Sequence, residues 1–96
     1  MAAWLVERKL MQVSSRLKSL RDELAMIDEQ LEHLAADADD HEIRALVSET
    51  PGAAVEANDA RKHADAMANH RAHVAATIAE LEQRQDELLD KLSPGR

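Results

Sequence analysis

"RLKSLRDELAMIDEQLEHL", residues 16–34, decides the fold of this chain. Large apolar residues recur in it at alternating spacings of three and four, and charged or polar side chains fill most positions between them: Leu17, Leu20, Leu24, Ile27, Leu31 and Leu34. Apolar residues at this spacing form a narrow stripe along one side of an α-helix. The stripe must pack against another helix, which could belong to the same chain, a second copy or a different protein.

The same alternation continues in both directions, from Ala3 to Ala38. Written as a seven-residue repeat, it has Ala3, Leu10, Leu17, Leu24, Leu31 and Ala38 at position a and Val6, Val13, Leu20, Ile27 and Leu34 at position d. A period of about 3.5 residues kept over this length is typical of a coiled coil, because a helix on a globular core drifts toward 3.6. We therefore predict a first coiled-coil helix over residues 3–38.

The C-terminal part of the chain carries a matching alternation, interrupted by Arg71 and Gln85 and rich in alanine in its first half. It predicts a second helix over residues 53–92, antiparallel to the first, followed by a tail at 93–96. The seam between the two helices is predicted to contain Leu10, Leu17, Leu20, Leu24, Ile27, Leu31, Leu34, Val74, Ile78, Leu81 and Leu88. Alanine buries less area than leucine, so we expect the pairing to be loosest near the connection.

The connecting segment, residues 39–52, allows two interpretations. Asp39 followed by Glu42 resembles a capping box, which would begin a separate short helix. Alternatively, the first helix continues to about residue 49 with a break in its repeat, because the apolar residues after Glu42 do not follow the earlier spacing. In either case Thr50 and Pro51 are suited to the N-cap and first position of the next helix.

Composition agrees with an all-α fold. The chain has 96 residues, which is the size of a single small domain (1–96), and it contains only two Gly, two Pro and one aromatic residue, Trp4. There is no cysteine, so disulfide frameworks and thiolate zinc sites are excluded. The apolar run Ala2 to Val6 is too short for a signal peptide or a membrane span. We expect a cytoplasmic protein that does not contact a membrane.

A two-helix hairpin covers each apolar stripe on one side only. We therefore predict a homodimer in which two antiparallel hairpins pair into a four-helix bundle. The residues expected to meet the second copy are apolar and lie off the main seam: Trp4, Leu5, Met11, Met26, Ile43, Val47 and Leu89.

Charge is distributed unevenly along the chain. Residues 1–21 carry five basic side chains and one acidic, a net charge of +4, whereas residues 22–60 carry twelve acidic and one basic, a net charge of −11. An acidic cluster falls around the end of the first helix: Asp37, Asp39, Asp40, Glu42 and Glu49. Such charge often hydrates the outer face of a coiled coil, but the cluster is also a candidate partner-binding surface. The chain is acidic overall, so we expect no nucleic-acid partner.

A helical rod with a carboxylate end is similar in outline to the secondary-channel factors of bacterial RNA polymerase, whose acidic hairpin tips reach toward the catalytic magnesium. The resemblance is architectural, and the sequence offers no second globular domain to anchor such a rod. It implies an alternative function, in which the chain regulates RNA polymerase or another macromolecular machine.

Histidines suggest a third possibility, a metal-binding helical bundle, with His63, His70 and His73 as candidate ligands. The paired Glu-x-x-His motifs of di-metal bundles are absent, and surface histidines beside an alanine seam explain the pattern better than a metal site does. No phosphate-binding loop or nucleophile–base pair occurs in the sequence. We therefore predict a non-enzyme with no cofactor and no metal.

The segment "LVSETPGAAVEANDARKHADAM", residues 46–67, is rich in Ala, Asp, Arg and His. It resembles small uncharacterised coiled-coil proteins of actinobacteria, a resemblance that implies a helical fold and no activity. Together the sequence features predict a self-associating module for protein–protein interaction or scaffolding, with an unidentified protein partner.

Overall fold

The computed structural model describes residues 2–93, which form two α-helices: α1, Ala3–Ser48, and α2, Pro51–Leu92. No β-strand occurs among these residues, so the all-α prediction is confirmed. Only Ser93 of the predicted tail lies within the described residues; 94–96 lie outside them. Neither helix in the described range has the length and apolar character that crossing a membrane requires.

The connection between the helices consists of two residues, Glu49 and Thr50. The backbone N–H of Glu49 donates to the Ala45 carbonyl (3.1 Å) and completes the last turn of α1. Glu49 has a φ of 54°, the left-handed conformation that commonly ends a helix. The Thr50 hydroxyl then accepts a hydrogen bond from the Ala53 N–H (3.3 Å), and Pro51 begins α2, as predicted for an N-cap and a first helical residue.

The prediction of a separate capping helix within 39–52, and of a first helix that ends at 38, is wrong. α1 runs without interruption to Ser48. Its inward-facing positions continue at the three-four spacing through Ala38, His41 and Ala45, which are buried or half-buried. The seam is carried here by a histidine and small residues, and this is why the apolar residues nearby suggested a break in the repeat.

Contacts between the helices divide the chain into two compact units. Unit 1 comprises the described parts of Met1–Leu24 and His73–Arg96, and unit 2 is Ala25–Ala72. In unit 1 the Gln85 side chain donates to the Ser14 hydroxyl (3.0 Å) and Arg21 pairs with Glu82 (3.1 Å), so the two segments run antiparallel. Unit 2 contains the two-residue turn and is itself a helical hairpin.

The buried side chains of the two units differ in size. In unit 1 the buried apolar residues are Val6, Leu17, Leu20, Val74, Ile78 and Leu88. In unit 2 they are Ile27, Ala38, Ala57 and Ala64. Unit 2 therefore removes less apolar area from water in its fully buried core.

Candidate functional site

The predicted seam residues all face inward. Six of the eleven are buried: Leu17, Leu20, Ile27, Val74, Ile78 and Leu88. The other five are half-buried: Leu10, Leu24, Leu31, Leu34 and Leu81. These side chains hold the helices together within each unit, so an interaction site has to be sought on the outer faces.

Arg61 organises the acidic cluster of unit 2. Its Nε donates to Glu42 Oε1 at 2.7 Å, and its Nη2 donates to Asp39 Oδ1 at 2.6 Å. The hydrogen bond from Arg61 holds the pKa of the Glu42 carboxyl below its usual range, and the same contact raises the pKa of Arg61. Asp39 and Glu42 thus join α1 to α2 across the hairpin of unit 2. They do not form the capping box that the sequence suggested.

The remaining acidic residues of the cluster differ in their surroundings. Asp37 lies 3.7 Å from His41 Nε2, one turn further along α1. His41 is also 4.0 Å from Glu56 of α2, and only a quarter of its side chain is exposed. Asp40 and Glu49 are exposed and make no ion pair with any residue in 2–93. The cluster is therefore only partly available to another molecule.

An apolar surface lies beside the acidic cluster, near the turn of unit 2. We call it the turn surface and define it as Ile43, Leu46 and Val47 of α1, whose exposed fractions are 59%, 78% and 81%. The three α1 residues are spaced i, i+3 and i+4, so they share one side of the helix. A shallow groove of about 580 Å³ runs beside Leu46 and is lined on α2 by Ala54, Asn58 and Arg61.

A second exposed apolar surface belongs to unit 1. We call it the N-terminal surface and define it as Trp4 and Met11, which are 64% and 73% exposed. A shallow hollow of about 550 Å³ lies beside Met11 and is lined by Arg8, Gln12, Ser15, Arg16 and Ser19 as well. Arg8, Lys9, Arg16 and Lys18 make no ion pair with another residue of the described chain.

Among the seven residues predicted to meet a second copy, six are exposed: Trp4, Met11, Met26, Ile43, Val47 and Leu89. Leu5 is half-buried. Leu46 and Val55 were missed as surface residues. Both residues lie off the three-four spacing of their own helices, and this was visible in the sequence. A position off that spacing does not show, however, which way its side chain faces.

The candidate metal ligands are not brought together. His63, His70 and His73 are all exposed on α2. Within residues 2–93 there is no group of three or more His, Cys, Asp or Glu side chains positioned to hold a metal ion.

Two polar residues that interrupt the predicted seam of α2 have partners on α1. Arg71 forms an ion pair with Asp28 in unit 2, and this contact raises the pKa of Arg71. Gln85 binds Ser14 in unit 1. Asp28 and Ser14 are two heptads apart and occupy the same position of the α1 repeat, immediately after a d residue. This equivalence was visible in the sequence as a possible pairing signal.

The chain matches no protein-family model, and neither a curated protein nor a solved structure shows significant similarity to it. The resemblance to actinobacterial proteins therefore stays a prediction. A function has to be argued from the surfaces described above.

Proposed function

We propose that this protein is a non-enzymatic interaction module that associates with itself and presents its helical units to other proteins. The observation that carries the proposal is the turn surface, where Leu46 and Val47 are each about four-fifths exposed (78% and 81%) beside Ile43. Grouped, exposed large apolar side chains mark interaction surfaces more often than single ones do. Covering them removes apolar area from water and favours association.

The small core supports the same proposal. Within the described residues only two large side chains, Leu17 and Leu88, are less than 2% exposed. A chain of 96 residues has a limited core, and small helical proteins commonly gain stability by oligomerising. Association of two copies would supply the area that one copy leaves uncovered, and a four-helix bundle is the arrangement we expect.

The acidic cluster suggests a second candidate function, the regulation of RNA polymerase or another macromolecular machine. That alternative needs carboxylates free to act outside the chain. Asp39 and Glu42 are bound to Arg61, which leaves Asp40 and Glu49 as the exposed pair without an ion-pair partner in 2–93. The apolar turn surface is therefore the stronger basis for a function.

The test is the solution mass of the protein, measured by sedimentation equilibrium from about 1 to 100 µM. We expect the mass of a dimer, with dissociation only toward the lowest concentrations. A constant monomer mass across this range would overturn the proposal.

Two matched variants locate the effect. Leu46→Glu places a charge on the turn surface, and Ala68→Glu places the same charge on an exposed alanine of α2 in the same unit. We expect Leu46→Glu to weaken association and Ala68→Glu to leave it close to that of the original chain, with both variants equally helical by circular dichroism. Equal weakening by the two variants would mean that net charge, and not the turn surface, controls association.

A further inference from the structure

The two exposed apolar surfaces differ in the charge around them. The N-terminal surface of unit 1 is bordered by Arg8 and Arg16, which line the hollow beside Met11. The turn surface of unit 2 is accompanied by Asp40 and Glu49, both exposed. Neither these cations nor these anions are paired with a residue in 2–93. One surface is apolar and basic, and the other is apolar and acidic.

Net charge follows the same division. Residues 25–72 of unit 2 contain eleven acidic and four basic side chains, which gives −7, the net charge of the entire chain. The remaining residues contain eight acidic and eight basic side chains, so their net charge is zero. If two copies paired through their turn surfaces, two strongly acidic units would come together. If they paired through their N-terminal surfaces, Arg8 and Arg16 of one chain would face Arg8 and Arg16 of the other. Like charges at an interface oppose association, whereas unlike charges favour it.

We infer that the occupant of each surface is the other surface of a second copy: the turn surface of one chain packs on the N-terminal surface of its partner. This inference rests on the proposed self-association and specifies its orientation. Apolar contact supplies the driving force, and the unpaired arginines and carboxylates select the unlike pairing.

The α1 sequence allows both contacts to form at once. Trp4, Met11, Lys18, Glu32 and Leu46 occupy the same position of its seven-residue repeat. If two α1 helices lie antiparallel with Trp4 opposite Leu46, then Lys18 of each chain lies opposite Glu32 of the other. A two-fold axis uses each surface once per chain and produces a closed dimer.

Distances between spin labels test the orientation. The chain contains no cysteine, so a label attached to Ser15→Cys or to Ala36→Cys reports one position only. Both residues are small and exposed, and both lie on α1. Measurements use three dimer samples: each labelled chain alone, and an equal mixture of the two.

The antiparallel arrangement predicts that the distance between label 15 on one chain and label 36 on the other is the shortest of the three. The 15-to-15 and 36-to-36 distances should each be clearly longer, since 21 residues of helix add an axial separation of about 30 Å between the two labels. Short 15-to-15 and 36-to-36 distances would mean a parallel dimer and would overturn the inference. Three long distances in a sample whose mass is dimeric would overturn it as well, because α1 would not be the interface. A monomer mass of the original, unlabelled chain would instead contradict the proposed function itself.

Charge exchange provides an independent measurement. One variant carries Arg8→Glu with Arg16→Glu, and the other carries Asp40→Lys with Glu49→Lys. Each alone should dimerise about tenfold more weakly than the original chain, and an equal mixture should recover dimers, because every contact in the mixed dimer again joins unlike charges. Undiminished association of either variant alone would overturn the role given to these charges.

Discussion

Unit 1 and unit 2 are both built from antiparallel helical segments, but different side chains fill their seams. On α2, unit 1 contributes Val74, Ile78, Leu81 and Leu88, whereas unit 2 contributes Ala53, Ala57, Ala60, Ala64 and Met67. Polar contacts between the helices show the opposite trend. Between its two helical segments, unit 1 has the ion pair Arg21–Glu82 and the hydrogen bond from Gln85 to Ser14. In unit 2, Asp28, Asp39 and Glu42 of α1 all pair with arginines of α2.

The comparison shows two ways of holding the same helical arrangement. Unit 1 depends mainly on the burial of large aliphatic side chains. Unit 2 buries smaller ones and adds exposed charged hydrogen bonds, each of which contributes little in water. Among the described residues, unit 2 also carries more of the exposed large apolar side chains, so it has more to gain from a second copy.

The largest effect should come from the core of unit 1. Leu17 is fully buried, and Leu17→Ala should lower the free energy of unfolding by about 2–5 kcal/mol. Met67→Ala, at a half-buried seam position of unit 2, should cost clearly less. Urea denaturation at a fixed protein concentration measures both. Equal losses of unfolding free energy in the two variants would show that the seam of unit 2 contributes as much to stability as the core of unit 1.

The alanine seam of unit 2 should resist enlargement. Ala64 is 3% exposed, and Ala64→Leu should destabilise the protein by about 1–3 kcal/mol because the added atoms have no space between the helices. The control is Ala66→Leu, at an exposed position two residues away. Stabilisation by Ala64→Leu would contradict close packing here and would indicate a loosely filled seam.

The Arg61 contacts should make unit 2 sensitive to acid. The pKa of Glu42 is lowered in the folded protein, so its contribution to stability is complete above the pKa of the unfolded chain and is lost as pH falls through the folded value. Thermal unfolding between about pH 6 and pH 3 should therefore show a steeper fall in Tm for the original chain than for Glu42→Gln. Glu29→Gln, which removes an exposed carboxyl without an ion pair in the described chain, should keep the original slope. If Tm falls with pH equally in all three proteins, Glu42 does not cause the acid sensitivity.

The smallest effect concerns the turn of unit 2. A left-handed residue other than glycine is strained, so Glu49→Gly should raise the free energy of unfolding by about 0.5 kcal/mol, after the added flexibility of the unfolded chain is subtracted. Glu49→Ala removes the same charge but keeps the strain, and it should not stabilise the protein. If Glu49→Ala and Glu49→Gly raise the melting temperature equally, the cause is the loss of the Glu49 charge and not the relief of backbone strain.

Much of this fold was predictable because a coiled-coil seam repeats. The two long helices follow from the spacing of leucine and valine, and the N-cap at Thr50 follows from its place before Pro51. The end of α1 was not predictable in the same way. Ile43, Leu46 and Val47 suggested a break, although the helix continues with His41 and Ala45 on its inner side.

The candidate site shows the same limit. Apolar residues off the seam indicated that something was left uncovered, but a single sequence does not show whether such residues face the core, a second copy or water. The pairing of Arg61 with Asp39 and Glu42 was equally hidden, since these residues are about twenty positions apart and no motif links them. Local spacing predicts elements, and contacts between elements require the structure.

The polar residues within the α2 seam have a consequence for helix alignment. A seam made only of aliphatic residues and alanine repeats every seven residues, so sliding one helix by a heptad would preserve its apolar contacts. Such a slip would move Arg71 from Asp28 to either Arg21 or Ala35, and Gln85 from Ser14 to either Glu7 or Arg21. Polar residues in a seam generally lower stability while specifying a single register. Arg71 and Gln85 therefore fix which of several similar alignments the two helices adopt.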